Sequence, residues 1–305
     1  MDTENAPWRS ERPLDEAIVR RVLRDQFPGL PASDVAFLGE GWDSQAYLVD
    51  GEWVFRFPKR REVEAWLEQE LRVLGRLAEF PLPFAVPRPE FVGEPSEAFP
   101  FAYVGYRWIA GAPSQMADPS TIRREAAARQ LGAGLGLVHS IGEAECRGMG
   151  LRADPYDPVG PWREVRSLRE TILPALPDDL RDACLPDLDG TALAPPGPVA
   201  PCLVHGDLAA EHLLIGGDGT ISGLIDWGDA SIGDPAGDFA WSLAWLGPEF
   251  ARAALAAYPR PIDPAFRDRV VFHARRLALE SLGWHFLDPA TQWHDPVRYL
   301  RNVFG

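Results

Sequence analysis

Residues 203–229 read LVHGDLAAEHLLIGGDGTISGLIDWGD. Two apolar runs, Cys-Leu-Val at 202–204 and Gly-Leu-Ile at 223–225, lead into Asp207 and Asp226, each with a glycine close by. Runs of this kind read as short strands, and Gly217-Asp218-Gly219 between them is a hairpin signal. Strand ends joined through a hairpin lie near one another, so the spacing turns the two carboxylates toward a common cleft. Paired carboxylates suit phosphoryl transfer. One orients or deprotonates an acceptor hydroxyl, and the other holds Mg²⁺ on nucleotide phosphates.

The order His205-Gly206-Asp207, then His212, then Asp226-Trp227-Gly228 resembles the protein-kinase-like pattern H-x-D-x-x-x-x-N followed by D-x-G. Its wording is similar to that of the aminoglycoside and macrolide phosphotransferases, and the likeness covers roughly residues 35–245. The resemblance implies an α+β, bilobal protein-kinase-like fold. A smaller lobe would carry an antiparallel sheet with a helix, and a larger lobe would be mostly helical. It implies Asp207 as the catalytic carboxylate and Asp226 with His212 as the metal pair, with ATP or GTP and Mg²⁺ as cofactors. His212 stands where the general pattern has asparagine. Imidazole is a poorer donor for Mg²⁺, which prefers oxygen, so a packing or hydrogen-bonding role competes with ligation. Ala209 stands where protein kinases acting on serine carry lysine, which points to a small-molecule acceptor. His205 is expected to shape the loop.

The nucleotide side follows in the family's order. Gly39, Gly41 and Ser44 lie in GEGWDS between two strand-like runs, where backbone N–H groups can approach phosphates; a plain hairpin turn is the alternative. In Val54-Phe55-Arg56-Phe57, Val54 and Arg56 share a strand face. Arg56 takes the place of the kinase lysine, and Lys59, beyond Pro58, is expected to point to solvent. Glu70 shares a helical stripe with Val63, Leu67, Leu74 and Leu77 and would pair with Arg56, with Glu62, Glu64 and Glu68 as alternatives. Arg107, Trp108 and Ile109 would form the hinge whose backbone meets the purine. Asp238 is expected to be architectural and His139 to be a satisfied histidine at a helix end. Glu211, Asp229, Glu280 and Trp284 are candidates to face the acceptor, though aromatics on helices are more often core.

Outward from these motifs, helical spacing covers 14–27, 62–78 and 119–140, with a helical patch near 161–174. Strand-like runs cover 35–38, 45–50, 52–57 and 99–109, and Asp50-Gly51 marks a two-residue turn. Residues 81–89 and 187–201 read as irregular, and the pattern is helical from 235 on. A change of character near 105–111 divides a nucleotide-binding lobe (1–105), a hinge (106–110) and a catalytic and acceptor-binding lobe (111–305).

The 305 residues include 11 Trp and 15 Phe, too many for a solvated coil. A formal net charge of −15 argues against a nucleic-acid partner and suits a cationic small molecule. The three cysteines, Cys146, Cys184 and Cys202, show no metal or disulfide pattern and fit a reducing cytoplasm. No secretory signal and no apolar run long enough to span a membrane are visible. There is no Gly-x-Ser-x-Gly and no Gly-Lys-Ser/Thr, which removes the common serine hydrolases and Walker-loop enzymes. The expected function is phosphorylation of a small-molecule hydroxyl by a monomer or weak dimer. An antibiotic is the leading acceptor, aminoglycoside before macrolide, then a metabolite alcohol. A nucleotide-binding pseudokinase is the alternative from another class.

Overall fold

The computed structural model describes residues 10–118, 120–153, 169–189, 197–287 and 296–305. The chain forms two compact units, one of residues 1–81, 85–110 and 227–229, the other of residues 82–84, 111–226 and 230–305.

The first unit is built on helix α1 (Glu16–Gln26), strands β1 (Val35–Glu40), β2 (Ser44–Val49) and β3 (Trp53–Pro58), helix α2 (Arg61–Leu77), and strands β4 (Pro89–Gly93) and β5 (Tyr103–Arg107). The strands form one antiparallel sheet in the order β1-β2-β3-β5-β4. Both faces of β3 are covered, as period-two alternation allows. Trp53, Phe55 and Phe57 pack with Val19, Val22 and Leu23 of α1 and with an aromatic group that includes Phe99, Phe101 and Tyr103. Val54, on the opposite face, packs with Leu67 of α2, Val104 and Tyr106. Asp50 and Gly51, between β2 and β3, have φ of 51° and 66°. The link is three residues long, since Val49 pairs with Trp53, so it is one residue longer than the two-residue turn expected; its first two positions take the positive φ that aspartate and glycine tolerate.

The second unit contains strand β6 (Ala112–Pro113), helices α3 (Arg124–Val138), α4 (Glu143–Gly148), α5 (Arg169–Ala175) and α6 (Asp178–Asp189), and strands β7 (Cys202–Val204), β8 (Leu213–Ile215), β9 (Ile221–Leu224) and β10 (Ser231–Gly233). Helices α7 (Gly237–Leu246), α8 (Pro248–Ala257), α9 (Phe266–Leu287) and α10 (Pro296–Phe304) follow. β7 pairs with β10, and β8 lies between β6 and β9. α3 meets α8 through small residues: a Cβ on Gly132 would fall 2.0 Å from the carbonyl oxygen of Ala254.

Several elements depart from the sequence-based expectation. β4 forms where no strand was expected, because it completes the sheet edge against β5. The strand expected over 99–109 shortens to Tyr103–Arg107. The helix expected over 119–140 begins at Arg124. α6 ends within the stretch read as loop, despite Pro186 inside it. Leu180, Cys184 and Leu188, spaced by four, are all buried along one side, and Asp178 and Asp179 lie in the first turn where the helix dipole favours anions. Most of the helical patch near 161–174 and part of the loop at 187–201 lie outside the described residues. All three cysteines are free and buried. No described helix is long and apolar enough to cross a membrane.

Candidate active site

In the second unit, Asp207 stands in the loop after β7 and Asp226 in the loop after β9. His212, just before β8, lies between them: Nδ1 is 3.6 Å from Asp207 Oδ2, and Nε2 is 3.5 Å from Asp226 Oδ2. The structure thus brings together three residues that the sequence singled out. The imidazole is fixed by its Nδ1–H, which donates to the Asp207 carbonyl at 2.8 Å. Ile225 N–H donates to the His212 carbonyl at 3.0 Å, which ties the two loops. Burial pulls the His212 pKa down, but the carboxylates of Asp207 and Asp226, with Glu211 close by, outweigh it and leave it raised. The two carboxylates thus stabilise the protonated imidazole relative to a free one. Asp226 has φ of 64°, a left-handed conformation unusual for a residue other than glycine. Such strain persists where the surroundings over-determine it, and it gathers at functional sites.

The Asp207 loop is held from behind by Asp238, in the first turn of α7. Its Oδ2 accepts the backbone N–H of His205 at 2.9 Å, and its Oδ1 accepts that of Gly206 at 3.3 Å. Oδ2 also meets His139 Nε2 at 3.0 Å, and His139 Nδ1 meets the Tyr258 hydroxyl at 2.9 Å. Burial would raise the Asp238 carboxyl, but the hydrogen bond and charge of His139 and the contacts with His205 hold it below the usual carboxylate range. His205 closes the loop: its Nδ1 accepts Asp207 N–H at 3.3 Å, so Nε2 carries the proton to the Ile225 carbonyl at 3.0 Å. Burial pushes its pKa down to about 4, which keeps this ring neutral. Asp238 and His139 thus sit in the architectural positions expected for them.

In the first unit, Arg56 on β3 reaches across to Glu70 on α2, with Nη1 2.7 Å from Oε1. Both are largely buried, at 15% and 5% side-chain exposure. The pair forms because Arg56 and Val54 share the face that α2 covers. Gly39 and Glu40 end β1, Gly41 opens the turn and Ser44 begins β2, with Gly41 N–H donating to the Ser44 carbonyl at 2.9 Å. Lys59 departs from the expectation. It is buried, not solvent-facing, because its ammonium turns back onto the Gly41 carbonyl at 3.0 Å and lies 3.4 Å from Glu40 Oε2. At the end of β5, Arg107 pairs with Glu52 and Glu90 and lies over the Trp53 ring. Trp108 N–H donates to the Glu52 carbonyl at 2.8 Å, so that donor is already used; Ile109 follows.

The remaining substrate candidates are dispersed. Glu211 neighbours His212. Asp229 is exposed and belongs to the first unit. Glu280 lies on α9 beside Arg276, Nε to Oε1 3.4 Å. Trp284 lies on the same helix, but its side chain falls outside the described residues. Another group carries no local signal: Arg269, 1% exposed, joins Asp234 at 2.8 Å and Asp263 at 2.8 Å, and His273 Nε2 meets Asp234 at 3.1 Å. Arg269 and His273 lie 35 and 39 positions from Asp234, and Asp263 lies six before Arg269, so no local pattern announces the group.

The donor set can be tested against Mg²⁺. This ion keeps several waters and is usually bound by one or two carboxylates plus substrate phosphates. No three His, Cys, Asp or Glu gather into a self-sufficient metal cage among the described residues. Asp226, a carboxylate 40% exposed, fits a site shared with phosphate, with His212 Nε2 3.5 Å from its Oδ2.

A model of the phosphotransferase enzyme family matches residues 34–269. The chain belongs to that family. This phosphotransferase is 30% identical to viomycin phosphotransferase from Streptomyces vinaceus over 216 residues, 68% of this chain and 73% of that protein. Its fold matches aminoglycoside 2'-phosphotransferase-IIIa, solved as a GDP complex, with a TM-score of 0.71 at 22% identity, over 95% and 97% of the two chains. It also matches macrolide 2'-phosphotransferase MphH from Brachybacterium faecium, with a TM-score of 0.61 at 21% identity, over 96% and 98%. The phosphotransferase thus has an α+β fold with a sheet-bearing N-terminal unit and a largely helical C-terminal unit.

Proposed function

We propose that the enzyme transfers the γ-phosphoryl group of ATP or GTP, with Mg²⁺, to a hydroxyl of a cationic antibiotic. The observation that carries this reading is the Asp207–His212–Asp226 arrangement, with both carboxylates within 3.6 Å of one imidazole. Asp207 accepts the acceptor proton as the hydroxyl oxygen attacks the γ-phosphorus and the bond to the β-phosphate oxygen breaks, a contribution typically of about 10²–10⁴ in rate. Mg²⁺, held by Asp226 with His212 beside it, would neutralise phosphate charge. Arg56, aimed by Glu70, adds a fixed positive charge for the phosphates. Gly39, Gly41 and Ser44 border the backbone that approaches them. Val54 offers an apolar surface to the base, and Arg107–Ile109 supply backbone groups for its edge.

The acceptor class rests on two supports. The net charge of −15 attracts a polycation. The relative from Streptomyces vinaceus is named for viomycin, and structural neighbours were solved with kanamycin, gentamicin and streptomycin. The test is a mass-spectrometric screen of purified enzyme with Mg²⁺ and ATP or GTP against viomycin, these aminoglycosides, a macrolide and simple metabolite alcohols. A product heavier by one phosphoryl group, made by the enzyme and not by Asp207→Asn, is the expected result. Nucleotide binding without any product would favour a pseudokinase.

A further inference from the structure

We infer that Lys59 and Arg60 form a clasp that sets the orientation of the 41–44 turn, making them positioning residues for nucleotide phosphate. The inference rests on the reading of that turn as the phosphate loop. Three consecutive carbonyls of the turn are engaged from one side. Lys59 Nζ donates to the Gly41 carbonyl at 3.0 Å, Arg60 Nη1 to the Trp42 carbonyl at 3.3 Å, and Lys59 N–H to the Asp43 carbonyl at 2.7 Å. Arg60 Nη2 also bonds Asp43 Oδ1 at 2.5 Å, and Glu40 Oε2 lies 3.4 Å from the ammonium.

In a planar trans peptide the C=O of one residue and the N–H of the next point opposite ways. Turning the Gly41 and Trp42 carbonyls toward the two cations, and the Asp43 carbonyl toward the Lys59 backbone N–H, therefore turns the N–H groups of Trp42, Asp43 and Ser44 to the other side. Consecutive N–H groups aligned in this way make an anion-binding concavity. A flexible glycine-containing turn left to itself would sample both orientations and lose that alignment. The clasp removes the choice before nucleotide arrives.

The residue types suit the task. Lys59 is the single lysine in a chain otherwise served by arginine. Its side chain is only 4% exposed, and an ammonium is buried at such cost that it must be hydrogen-bonded. A compact ammonium with three donors can bond the Gly41 carbonyl and face Glu40 at once. Its position is fixed by the ladder, since Ser44 is paired with Pro58 and the next residue must lie opposite Asp43.

The experiment compares the enzyme with Lys59→Met and Arg60→Gln, measuring nucleotide Kd by calorimetry, KM and kcat with the acceptor saturating, and thermal unfolding. Loss of pre-organisation in the phosphate loop should raise nucleotide Kd and KM about tenfold in Lys59→Met. Arg60→Gln should raise both by a smaller factor. In both variants kcat at saturating nucleotide should stay within about threefold, a split that general loss of structure would not give. Arg60 is the more exposed of the two, so Arg60→Gln carries the test if Lys59→Met does not fold. Nucleotide affinity unchanged in the folded variants overturns the clasp alone. Absence of nucleotide binding by the unmutated enzyme overturns the phosphate-loop reading and the clasp with it.

Discussion

Replacing Asp238 with asparagine should cost both stability and rate, and the size of each follows from its contacts. The carboxylate is 3% exposed and accepts hydrogen bonds from His139 Nε2 at 3.0 Å and from the backbone N–H groups of His205 and Gly206 at 2.9 and 3.3 Å. Asparagine keeps the shape but turns one oxygen into a donor. That NH₂ must face the backbone N–H of either Gly206 or His205, both fixed donors. Hydrogen bonds to a charged group contribute roughly 1.5–3 kcal/mol each, and a buried donor left unmatched costs as much again. The loss should be about 3–5 kcal/mol, large for a single substitution. At roughly 2–4 °C per kcal/mol for a chain of this size, Tm should fall by about 6–20 °C. The two released N–H groups belong to the residues just before Asp207, so kcat should fall by about 10²-fold, as when a reacting group is misplaced by about 1 Å. Differential scanning fluorimetry and initial rates would measure the two effects. Asp207→Asn is the control: its side chain is 43% exposed, and it should lose rate with Tm nearly unchanged. An Asp238→Asn protein within 2 °C and twofold of the parent would refute the argument, because the carboxylate would then not be what holds the loop.

Other outcomes are equally definite. Glu70→Gln leaves the buried Arg56 guanidinium without its counter-charge, and kcat/KM for nucleotide should fall at least about tenfold; a double-mutant cycle with Arg56→Gln should show a coupling near or above 1 kcal/mol. His205 is neutral in the fold, with a pKa pushed down to about 4 by burial, against about 6.5 in the unfolded chain. Below pH 6.5 the unfolded state takes up a proton that the folded state refuses, so stability should fall by about 3 kcal/mol between pH 6.5 and 4. In urea titrations across that window, His205→Gln should show a shallower loss. Gly132→Ala places a Cβ 2.0 Å from the Ala254 carbonyl, so α3 and α8 must separate and the enzyme should lose at least about 1–3 kcal/mol; an unchanged Tm would show that the seam yields freely.

What was legible in the sequence was local in sequence or repeated by a period. The β3 alternation put Val54 and Arg56 on one face and the aromatics on the other, and the stripe of α2 brought Glu70 to that same face. The hairpin between Asp207 and Asp226 fixed two carboxylates as neighbours before any coordinate was known. Lys59 shows where this reasoning stops. Its position past Pro58 says nothing of side-chain direction, and a lysine beside a proline reads as solvent-facing by default. What turned it inward was the backbone of a turn some 18 positions earlier, which offers carbonyls rather than a side-chain partner. The Asp234–Arg269–His273 group was hidden for a related reason, since its members are joined only after α9 has packed. α6 was obscured by its own composition, proline and aspartate outweighing a four-residue spacing of buried Leu180, Cys184 and Leu188.

His212 stands where the local motif and the long-range packing meet. The motif alone leaves its role open, because asparagine is the expected residue and imidazole is a weak donor to Mg²⁺. The structure shows that this position now does two things an asparagine could do only in part. Its Nδ1–H fixes the Asp207 carbonyl at 2.8 Å, and the ring faces both carboxylates at about equal distance. An asparagine could make the first contact but brings no charge to the second. Histidine here places a ring able to carry charge between two carboxylates, where the general pattern has an oxygen donor. If that ring suits the enzyme, His212→Asn should retain measurable transfer but require a different Mg²⁺ concentration for half-maximal rate. His212→Leu, which removes both the donor to Asp207 and the charge, should lose about 10²-fold or more in kcat. Equal activity of His212→Leu and the parent across a Mg²⁺ titration would show that the ring only fills space.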